Sequence, residues 1–432
     1  MAIKIKAVRG MNDILPEQIR YWHYLEENFR RLAARYGYQE IRTPIIEKTE
    51  LFQRSIGEVT DIVEKEMYTF CDRKDRSLTL RPENTAGVVR VVIEHGLLHN
   101  QTQRLWYCGP LFRYENPQQG RYRQFYQFGV EAFGFAGPEI DAEIILISAT
   151  LLRELGLFQE VELQINSLGG VETRAKHRTA LVDYFKKYEL QLDEDCRRRL
   201  LTNPLRILDS KNPDLQEVIQ QAPKLLDYLD PISEKNFTDL QQILHLADIP
   251  YVINPRLVRG LDYYTGTVFE WVTTKLGSQG TVCAGGRYDG LVEELGGSAT
   301  PAIGFALGCE RVIELLKELN KFSDLNQDVD AYLILMGQEA QQKGLVLAEK
   351  VRQALPTFRL LSNMGEGSFK NQFKRADKSG ARLALILAEN EIKTGTIAVK
   401  FLREDKEQIT LSQGELLEFL SVEESKSERI RN

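Results

Sequence analysis

The sequence contains few cysteines and no long apolar run. Its five cysteines are scattered through 432 residues and never occur in C-x-x-C spacing. This argues against a disulfide framework or a zinc ribbon and favours a reducing compartment, so we expect a cytoplasmic protein. No stretch of about 18 uncharged apolar residues could cross a membrane, and the first residues form no apolar signal region. We therefore expect no membrane partner.

Two common nucleotide-binding motifs are also absent. Neither G-x-G-x-x-G nor G-x-x-x-x-G-K-[ST] occurs, so dinucleotide-binding folds and P-loop enzymes lack sequence support. Of the five histidines, only His95 and His99 have helical i,i+4 spacing, and a glycine with no glutamate lies between them. This pair is not typical of a zinc site. The sequence therefore predicts no metal held by protein ligands alone.

The composition is that of a globular protein with about two or three domains. Hydrophobic residues make up 43% and charged residues 27% of the chain, which is sufficient for a large core. The 56 Lys and Arg residues are outnumbered by 62 Asp and Glu residues, giving a net charge of −6. A nucleic-acid partner would consequently have to bind local basic patches.

The pattern of predicted elements divides the chain into parts. Residues 1–323 combine helices with period-two strands and are interrupted at about 170–250 by a charged, helix-rich insertion. A polar hinge is predicted at 320–328. Residues 329–422 alternate strands and helices, which predicts a small α/β domain with a parallel-type sheet, and 423–432 read as a flexible tail. The expected fold class is α+β.

A predicted hairpin carries the most informative pattern. Its strands are expected at 105–108 and 125–131, and alternate side chains of a strand share a face. One face of the second strand is apolar, whereas the other contains Phe125, Gln127, Gly129 and Glu131. That second face is either a solvated surface or the floor of a binding site. Because buried polar groups need partners, we favour a binding site.

Arginines near this hairpin suggest a phosphate ligand. Arg113 and Glu115 are two residues apart and face the same way, and Arg121 follows in the loop. Guanidinium groups suit phosphate oxygens, although surface salt bridges would give the same pattern. A second segment, 259–266, places Arg259, Tyr263 and Tyr264 among glycines. It is either a close approach to a ligand or a simple turn.

A basic row in the C-terminal part suggests an RNA contact. Lys370, Lys374 and Arg375 lie about one turn apart on a predicted helix, with Lys378 beyond them. Such a row is either a solvated helix face or an electrostatic footprint for RNA.

These segments together resemble the histidyl-tRNA synthetase family, whose members are class II aminoacyl-tRNA synthetases. The resemblance extends from residue 8 to about residue 420. It rests on the segment around Pro44 at 38–47, R-Y-E at 113–115, G-C-E-R at 308–311, L-R-P-E-N-T-A at 80–86, and two signatures at 257–264 and 284–291. The last two are peculiar to the histidine enzyme within the class.

The resemblance implies a six-stranded antiparallel catalytic sheet, a helical insertion and a C-terminal anticodon-binding α/β domain. It also implies that ATP and L-histidine form histidyl-adenylate, with Mg²⁺ accompanying ATP, and that the histidyl group passes to the 3′ end of tRNA(His). The segment around Pro44 implies a homodimer.

The resemblance further implies a role for each matched residue. The implied catalytic residues are Arg113 and Arg259. ATP would contact Arg113, Glu115, Arg121, Phe125 and Arg311. Histidine would contact Glu83, Thr85, Gln127, Glu131, Arg259, Tyr263 and Tyr264. The tRNA would contact Lys370, Lys374 and Arg375.

Two alternatives differ from this interpretation. One is the non-catalytic paralogue that regulates ATP phosphoribosyltransferase, which typically lacks the anticodon domain and the phosphate-binding arginines. Here residues 329–420 are present, as are Arg113, Arg259 and Arg311. The other is a class II synthetase for a different amino acid, which Glu131 beside two tyrosines argues against, because a small or apolar substrate needs no such polar pair.

Overall fold

The computed structural model describes residues 4–57, 60–208, 210, 212–277, 280–321 and 329–431. The chain divides into two compact units, with the boundary after Lys321. Most of the polar hinge expected at 320–328 lies outside the described residues. No helix in the described part of the chain is both long and apolar enough to span a bilayer.

The first unit contains ten α-helices and eleven strands among its described residues. The helices are α1 (Pro16–Arg35), α2 (Thr49–Ile56), α3 (Thr85–Glu94), α4 (Pro138–Glu154), α5 (Val171–Lys186), α6 (Glu194–Thr202), α7 (Gln216–Gln220), α8 (Pro231–Leu246), α9 (Leu291–Glu294) and α10 (Cys309–Glu318). The strands are β1 (Gln39–Glu40), β2 (Ile46–Lys48), β3 (Tyr68–Cys71), β4 (Ser77–Leu80), β5 (Gln103–Phe112), β6 (Gln124–Phe133), β7 (Glu162–Ser167), β8 (Val252–Ile253), β9 (Thr265–Val272), β10 (Thr281–Arg287) and β11 (Ala302–Gly308).

The central sheet of this unit has eight strands in the order β1-β5-β6-β11-β10-β9-β7-β8. Its six inner strands are antiparallel, as the family resemblance implies. Two short edge strands, β1 and β8, pair in parallel with their neighbours. The sheet is therefore larger than the six strands expected and contains both parallel and antiparallel pairs. The glycine-rich stretch after residue 277 contains β10, for which the sequence pattern gave no strand prediction, because small residues give no hydrophobic alternation.

The predicted hairpin is confirmed as β5 and β6, paired antiparallel over ten residues. The apolar face of β6 packs against α1, where the ring of Phe29 stacks on Phe128 at 4.4 Å and Trp22 meets Tyr126 at 5.0 Å. α1 begins at a proline in its first turn, as its sequence indicates. One face of β6 therefore packs in the hydrophobic core, and the opposite face is available to line a cavity.

The helical insertion is confirmed between β7 and β8, where α5 to α8 lie. Its own small core contains Leu181, Phe185, Leu192 and Ile207. The run at 215–229 contains a short helix, α7, followed by a 3-10 turn at Leu225–Tyr228. Pro223 interrupts that run and removes a backbone donor, which accounts for the break.

The second unit is an α/β domain. Its helices are α11 (Gln338–Ala354), α12 (Phe369–Lys378), α13 (Glu389–Thr394) and α14 (Gln413–Arg431), and its strands are β12 (Ala331–Leu335), β13 (Leu360–Ser362), β14 (Leu383–Leu387), β15 (Thr396–Phe401) and β16 (Ile409–Ser412). The sheet order is β13-β12-β14-β15-β16. The predicted parallel pairing holds for β12 with β13 and β14, and β15 and β16 add antiparallel pairs.

The last helix extends beyond the expected domain boundary at residue 422. α14 continues to Arg431, so residues 423–431, which read as a flexible tail, are helical. Glu423 is 3% exposed and its carboxylate lies 3.5 Å from Arg382. This buried pair fixes the helix to the body of the domain, and the sequence gave no sign of it because the two residues are far apart along the chain.

Candidate active site

A cavity of about 280 Å³ lies against the polar face of β6. All twelve residues that the sequence assigned to ATP or histidine line it, although they come from five separate segments of the chain. They are Glu83, Thr85, Arg113, Glu115, Arg121, Phe125, Gln127, Glu131, Arg259, Tyr263, Tyr264 and Arg311. The fold therefore brings the expected site residues together.

Glu131 is the centre of a buried hydrogen-bond cluster at one end of this cavity. Its carboxylate accepts hydrogen bonds from Thr85 Oγ1 at 2.8 Å, Tyr107 Oη at 3.3 Å and Tyr288 Oη at 2.5 Å. Burial raises the pKa of this carboxyl to about 8, although the three hydroxyl donors act in the opposite direction. A carboxyl held in this way can accept or donate a hydrogen bond to a polar ligand near neutral pH.

Two glycines leave the space that this cluster occupies. A Cβ on Gly304 would lie 1.8 Å from Glu131 Oε2 and 2.4 Å from the carbonyl oxygen of Val130. A Cβ on Gly129 would lie 2.2 Å from the ring of Tyr107. Such distances cannot occur, so these positions require glycine for close approach.

Glu83 lies where α3 begins. Its carboxylate accepts from the backbone N–H of Thr85 at 2.6 Å and of Ala86 at 3.0 Å, so it satisfies donors of the first helical turn. Burial raises its pKa, while these two N–H donors lower it. The helix thereby fixes Glu83 and Thr85 beside the Glu131 cluster.

Three arginines reach the cavity from distant segments. Arg113, just after β5, donates from Nε to the carbonyl of Pro82 at 2.9 Å, and its guanidinium lies over the ring of Phe125 at 5.4 Å. Arg259 is paired with Glu270 of β9 and lies 5.6 Å from the ring centre of Tyr264. Arg311 of α10 donates to backbone carbonyls of the hairpin loop and of β10.

Four arginines give this end of the cavity a positive charge, although the carboxylates of Glu115, Glu270 and Glu310 offset most of it. The pKa of Arg311 is lowered by burial first and then by Arg113 and Arg121. Burial also lowers the pKa of Arg113, and Arg259 adds to that effect. Like charges crowded in a partly buried space repel one another, so an anionic ligand would stabilise this arrangement.

Carboxylates and phenols complete the lining. Glu115 is paired with Arg121, whose guanidinium also lies 3.9 Å from Glu66. Tyr263 and Tyr264 are buried with ring centres 4.7 Å apart. Tyr264 lies beneath Arg259, whereas the hydroxyls on Glu131 come from Tyr107 and Tyr288. No group of three or more His, Cys, Asp or Glu that could hold a metal occurs among the described residues.

Sequence reasoning missed three lining residues that hold assigned side chains in place. Tyr107 and Tyr288 bind Glu131, and Glu270 binds Arg259. Tyr288 lies in the signature at 284–291, so that motif could have identified it as a site residue. Tyr107 and Glu270 are single residues in ordinary strands, so only the register of β5 and β9 reveals them.

The three candidate tRNA contacts lie on α12 of the second unit. Lys370, Lys374 and Arg375 are exposed there. Arg375 donates to Asn363 Oδ1 at 3.0 Å, so it is partly engaged within the domain. The aromatic pair beside them, Phe369 and Phe373, is in contact at 4.8 Å.

Comparison with known proteins identifies a family for each of the two units. Residues 10–312 match the family model described as histidyl-tRNA synthetase, and residues 330–423 match that of an anticodon binding domain. A solved structure of apo histidyl-tRNA synthetase from S. aureus is 37% identical, with a TM-score of 0.81, over 96% of this chain and 99% of that one.

More distant structures share the fold. Histidyl-tRNA synthetase from Nostoc sp. PCC 7120 is 21% identical with a TM-score of 0.68, over 97% of this chain and 99% of that one. A Bacillus halodurans C protein titled ATP phosphoribosyltransferase regulatory subunit/histidyl-tRNA synthetase is 23% identical with a TM-score of 0.64, over 90% of this chain and 99% of that one.

The fold and the matched domains define an aminoacyl-tRNA synthetase, an enzyme that joins an amino acid to tRNA. Its match covers both the catalytic and the anticodon-binding parts. The chain belongs to the histidyl-tRNA synthetase family, and its activity is that of a histidine–tRNA ligase.

Proposed function

We propose that the cavity on β6 is where L-histidine and ATP react to form histidyl-adenylate and pyrophosphate. The observation that carries this proposal is that Arg113, Arg259 and Arg311 share one cavity with the buried Glu131 cluster. One end thus suits a polyphosphate and the other a polar side chain. The histidyl group would then pass to the 3′ end of tRNA(His).

The positive end would bind ATP. Arg113 and Arg259 would contact the α-phosphate and the attacking carboxylate, where negative charge accumulates in the transition state. Arg121 and Arg311 would hold the leaving phosphates, and Phe125 would stack on adenine. Glu115 would orient Arg121, with which it is already paired.

The Glu131 end would bind histidine. The α-ammonium would contact Glu83, Thr85 and Gln127. Glu131 and Tyr264 would hydrogen-bond the imidazole nitrogens, and Tyr263 would line the pocket. A pocket built from paired polar groups rejects similar side chains that leave those groups unpaired, which provides selectivity without editing.

Magnesium would enter with ATP. Mg²⁺ usually keeps several waters and takes one or two carboxylates together with substrate phosphates. The cavity offers Glu115 and Glu270, each paired with an arginine, which fits an ion held mainly by phosphates. The bound ion would supply neutralising charge to those phosphates.

The proposal extends to the tRNA, the assembly and the cellular location. Exposed Lys370, Lys374 and Arg375 would contact tRNA through the second unit. A homodimer would form through the segment around Pro44, and the protein would work in the cytoplasm. The described chain has five free cysteines, which is consistent with a reducing compartment.

Pyrophosphate exchange into ATP with single amino acids tests the proposal. We expect exchange with L-histidine alone, because only an imidazole satisfies the Glu131 cluster. Exchange with another amino acid would indicate a different synthetase. No exchange with any amino acid would favour the regulatory paralogue of ATP phosphoribosyltransferase, against which the three arginines and the second unit argue.

A further inference from the structure

Arg81 is a buried arginine beside the cavity on β6, although it is not among the described residues that line that cavity. It follows β4 directly and is 5% exposed. Its main-chain N–H donates to the carbonyl of Ile45 at 2.9 Å, and its own carbonyl accepts from the N–H of Phe112 at 3.0 Å. The backbone of Arg81 therefore connects the segment around Pro44 to the end of β5.

The guanidinium of Arg81 joins three separate segments of the chain. Its Nε donates to the carbonyl of Pro110 at 2.9 Å. Its Nη1 donates to the carbonyl and the hydroxyl of Thr43, at 3.1 and 2.9 Å, and to Asn84 Oδ1 at 3.0 Å. The Thr43 hydroxyl in turn donates to Asn84 Oδ1 at 2.5 Å. We call Thr43, Arg81 and Asn84 the Arg81 cluster.

The cluster surrounds a buried cation with neutral oxygens. Each of these four hydrogen bonds from the guanidinium ends on a carbonyl, hydroxyl or amide oxygen, and burial lowers the pKa of Arg81. The fold also leaves room for the side chain, because a Cβ on Gly109 would lie 2.3 Å from its Nη2. Burying a charged group is unfavourable, and an apolar side chain would fill the same space without that penalty. The arrangement therefore indicates a task that requires a guanidinium, whose rigid fork fixes several acceptors at once.

The Arg81 cluster adjoins side chains that are assigned to the reacting groups. Asn84 directly follows Glu83, which is assigned to histidine, and both residues line the cavity. Pro82 directly follows Arg81, and its carbonyl accepts from Arg113 Nε at 2.9 Å. A displacement of the cluster would consequently move the supports of both assigned side chains.

We propose that Arg81 is a positioning residue for adenylate formation, which fixes the histidine-binding segment 83–85 and, through Pro82, the guanidinium of Arg113. This inference rests on the proposed function, in which those side chains contact the α-ammonium of histidine and the α-phosphate. A shift of about 1 Å in positioned groups can lower a rate by about 100-fold. Arg81 would thus act on the reaction through its neighbours without touching substrate.

ATP binding should depend less on the cluster. The side chains assigned to the leaving phosphates are held by other contacts: Arg121 is paired with Glu115, and Arg311 donates to backbone carbonyls of the hairpin loop and of β10. A change in the cluster should therefore raise KM for histidine and lower kcat more than it raises KM for ATP.

Thr43 provides the sharpest test, because it contacts Arg81 from outside the cavity. Thr43→Val in the full-length enzyme keeps the side-chain shape and removes the hydroxyl, whereas Thr43→Ser keeps the hydroxyl. In histidine-dependent pyrophosphate exchange, Thr43→Val should raise KM for histidine about tenfold, the effect of leaving a buried charged donor without an acceptor, and change KM for ATP by less than about twofold. Thr43→Ser should stay within about twofold of wild type. Thr69→Val in β3 is the matched control: the Thr69 hydroxyl bonds to Thr79 Oγ1 at 3.0 Å, and its loss should leave both KM values unchanged.

Arg81→Met removes the whole guanidinium and should lower kcat/KM for histidine by about 100-fold. Circular dichroism shows whether this variant is folded, and the two Thr43 variants decide the question if it is not. Wild-type values of KM and kcat in Thr43→Val would overturn the proposal. So would an equal rise of both KM values, which indicates a general loosening of the site, or a Thr43→Ser variant as impaired as Thr43→Val. Absence of histidine-dependent exchange in the wild-type enzyme would refute the proposed function itself.

Discussion

At the residue scale, the site depends on polar and charged groups that already have partners before substrate arrives. Arg259 is held by Glu270, and Glu131 is held by three hydroxyl groups. Paired groups keep a fixed geometry, so they need not reorganise when charge develops in the reaction. Arg259 and Glu131 would therefore contact substrate, whereas Glu270 and the three hydroxyl groups hold those two side chains in position.

Replacing Arg259 should remove adenylate formation more than histidine binding. Arg259→Ala deletes a cation that would stabilise the transition state, and such losses cost about 100-fold or more in rate. Pyrophosphate exchange and equilibrium binding of histidine would be measured together. Arg256→Ala is a suitable control, because Arg256 bonds to Leu208 and Gln216 and does not line the cavity. Wild-type exchange by Arg259→Ala would contradict the assigned role.

Glu131 should make stability depend on pH in the absence of substrate. Its folded pKa of about 8 exceeds the ordinary value of 4.5, so the folded state holds a proton that the unfolded state releases. Its contribution to stability is therefore present below pH 4.5 and is lost as pH rises through 8.

Relative to Glu131→Gln, the wild-type free energy of unfolding should fall between pH 5 and 8 by up to about 1.4 kcal/mol per pH unit. Urea unfolding at several pH values measures this difference, which includes the electrostatic coupling of Glu131 to Glu83. An exposed change of the same type, Glu172→Gln, should keep a constant offset from wild type. A constant offset for Glu131→Gln as well would show that the carboxyl is ionised throughout.

At the element scale, one face of a strand or helix packs in a core while another face lines a cavity. β6 packs Phe128 against α1 and presents Gln127 and Glu131 to the cavity. α5 likewise contributes Leu181 to the core of the insertion and Arg174 to a cavity beside the segment 257–264. Alternation in a strand and the helical repeat make these divisions possible.

The basic face of α12 provides a prediction at this scale. Lys374→Glu should weaken tRNA binding by about tenfold, because it replaces an attraction to phosphate with a repulsion, and should leave histidine-dependent pyrophosphate exchange unchanged. Filter binding and exchange assays measure the two effects. Lys350→Glu on α11 makes the same charge reversal at another exposed position and should have little effect. Equal tRNA affinity in wild type and Lys374→Glu would exclude α12 as a contact.

At the scale of the whole molecule, the first unit has an exposed apolar surface on its small sheet, β2-β4-β3. Ile46 and Phe70 are 45% and 42% exposed, and the pairing register places them on the same face. Ile45 beside them is 42% exposed. These residues adjoin the segment around Pro44, which supports the proposed homodimer.

Charge on this surface should prevent formation of the proposed dimer. The double variant Ile46→Glu/Phe70→Glu would bury two carboxylates in an apolar interface, which is unfavourable without partners. Sedimentation should show twice the chain mass of 49.6 kDa for wild type and a single chain mass for the variant. Leu246→Glu on α8, at a position 83% exposed, is the control and should remain dimeric. A wild-type monomer would refute the proposed assembly.

The sequence predicted most of the local structure correctly. Periodicity located the hairpin strands β5 and β6, and the alternation of strands and helices identified the second unit. It gave no strand for β10, where small residues produce no alternation. It also placed a tail at 423–432, although Glu423 pairs with Arg382 and α14 continues. Pairings across long stretches of chain leave no local pattern.

The sequence by itself determined the residue types of the site and, through its motifs, the family. The spacing of the arginines, phenols and carboxylate was compatible with phosphate and a polar side chain, and the family resemblance selected that interpretation. Only the tertiary structure decided that five segments meet in one cavity, that Tyr107 and Tyr288 hold Glu131, and that α5 brings a second set of arginines next to Arg259. The physical reason is that burial, pKa and charge repulsion depend on distances in space, and strand register sets those distances.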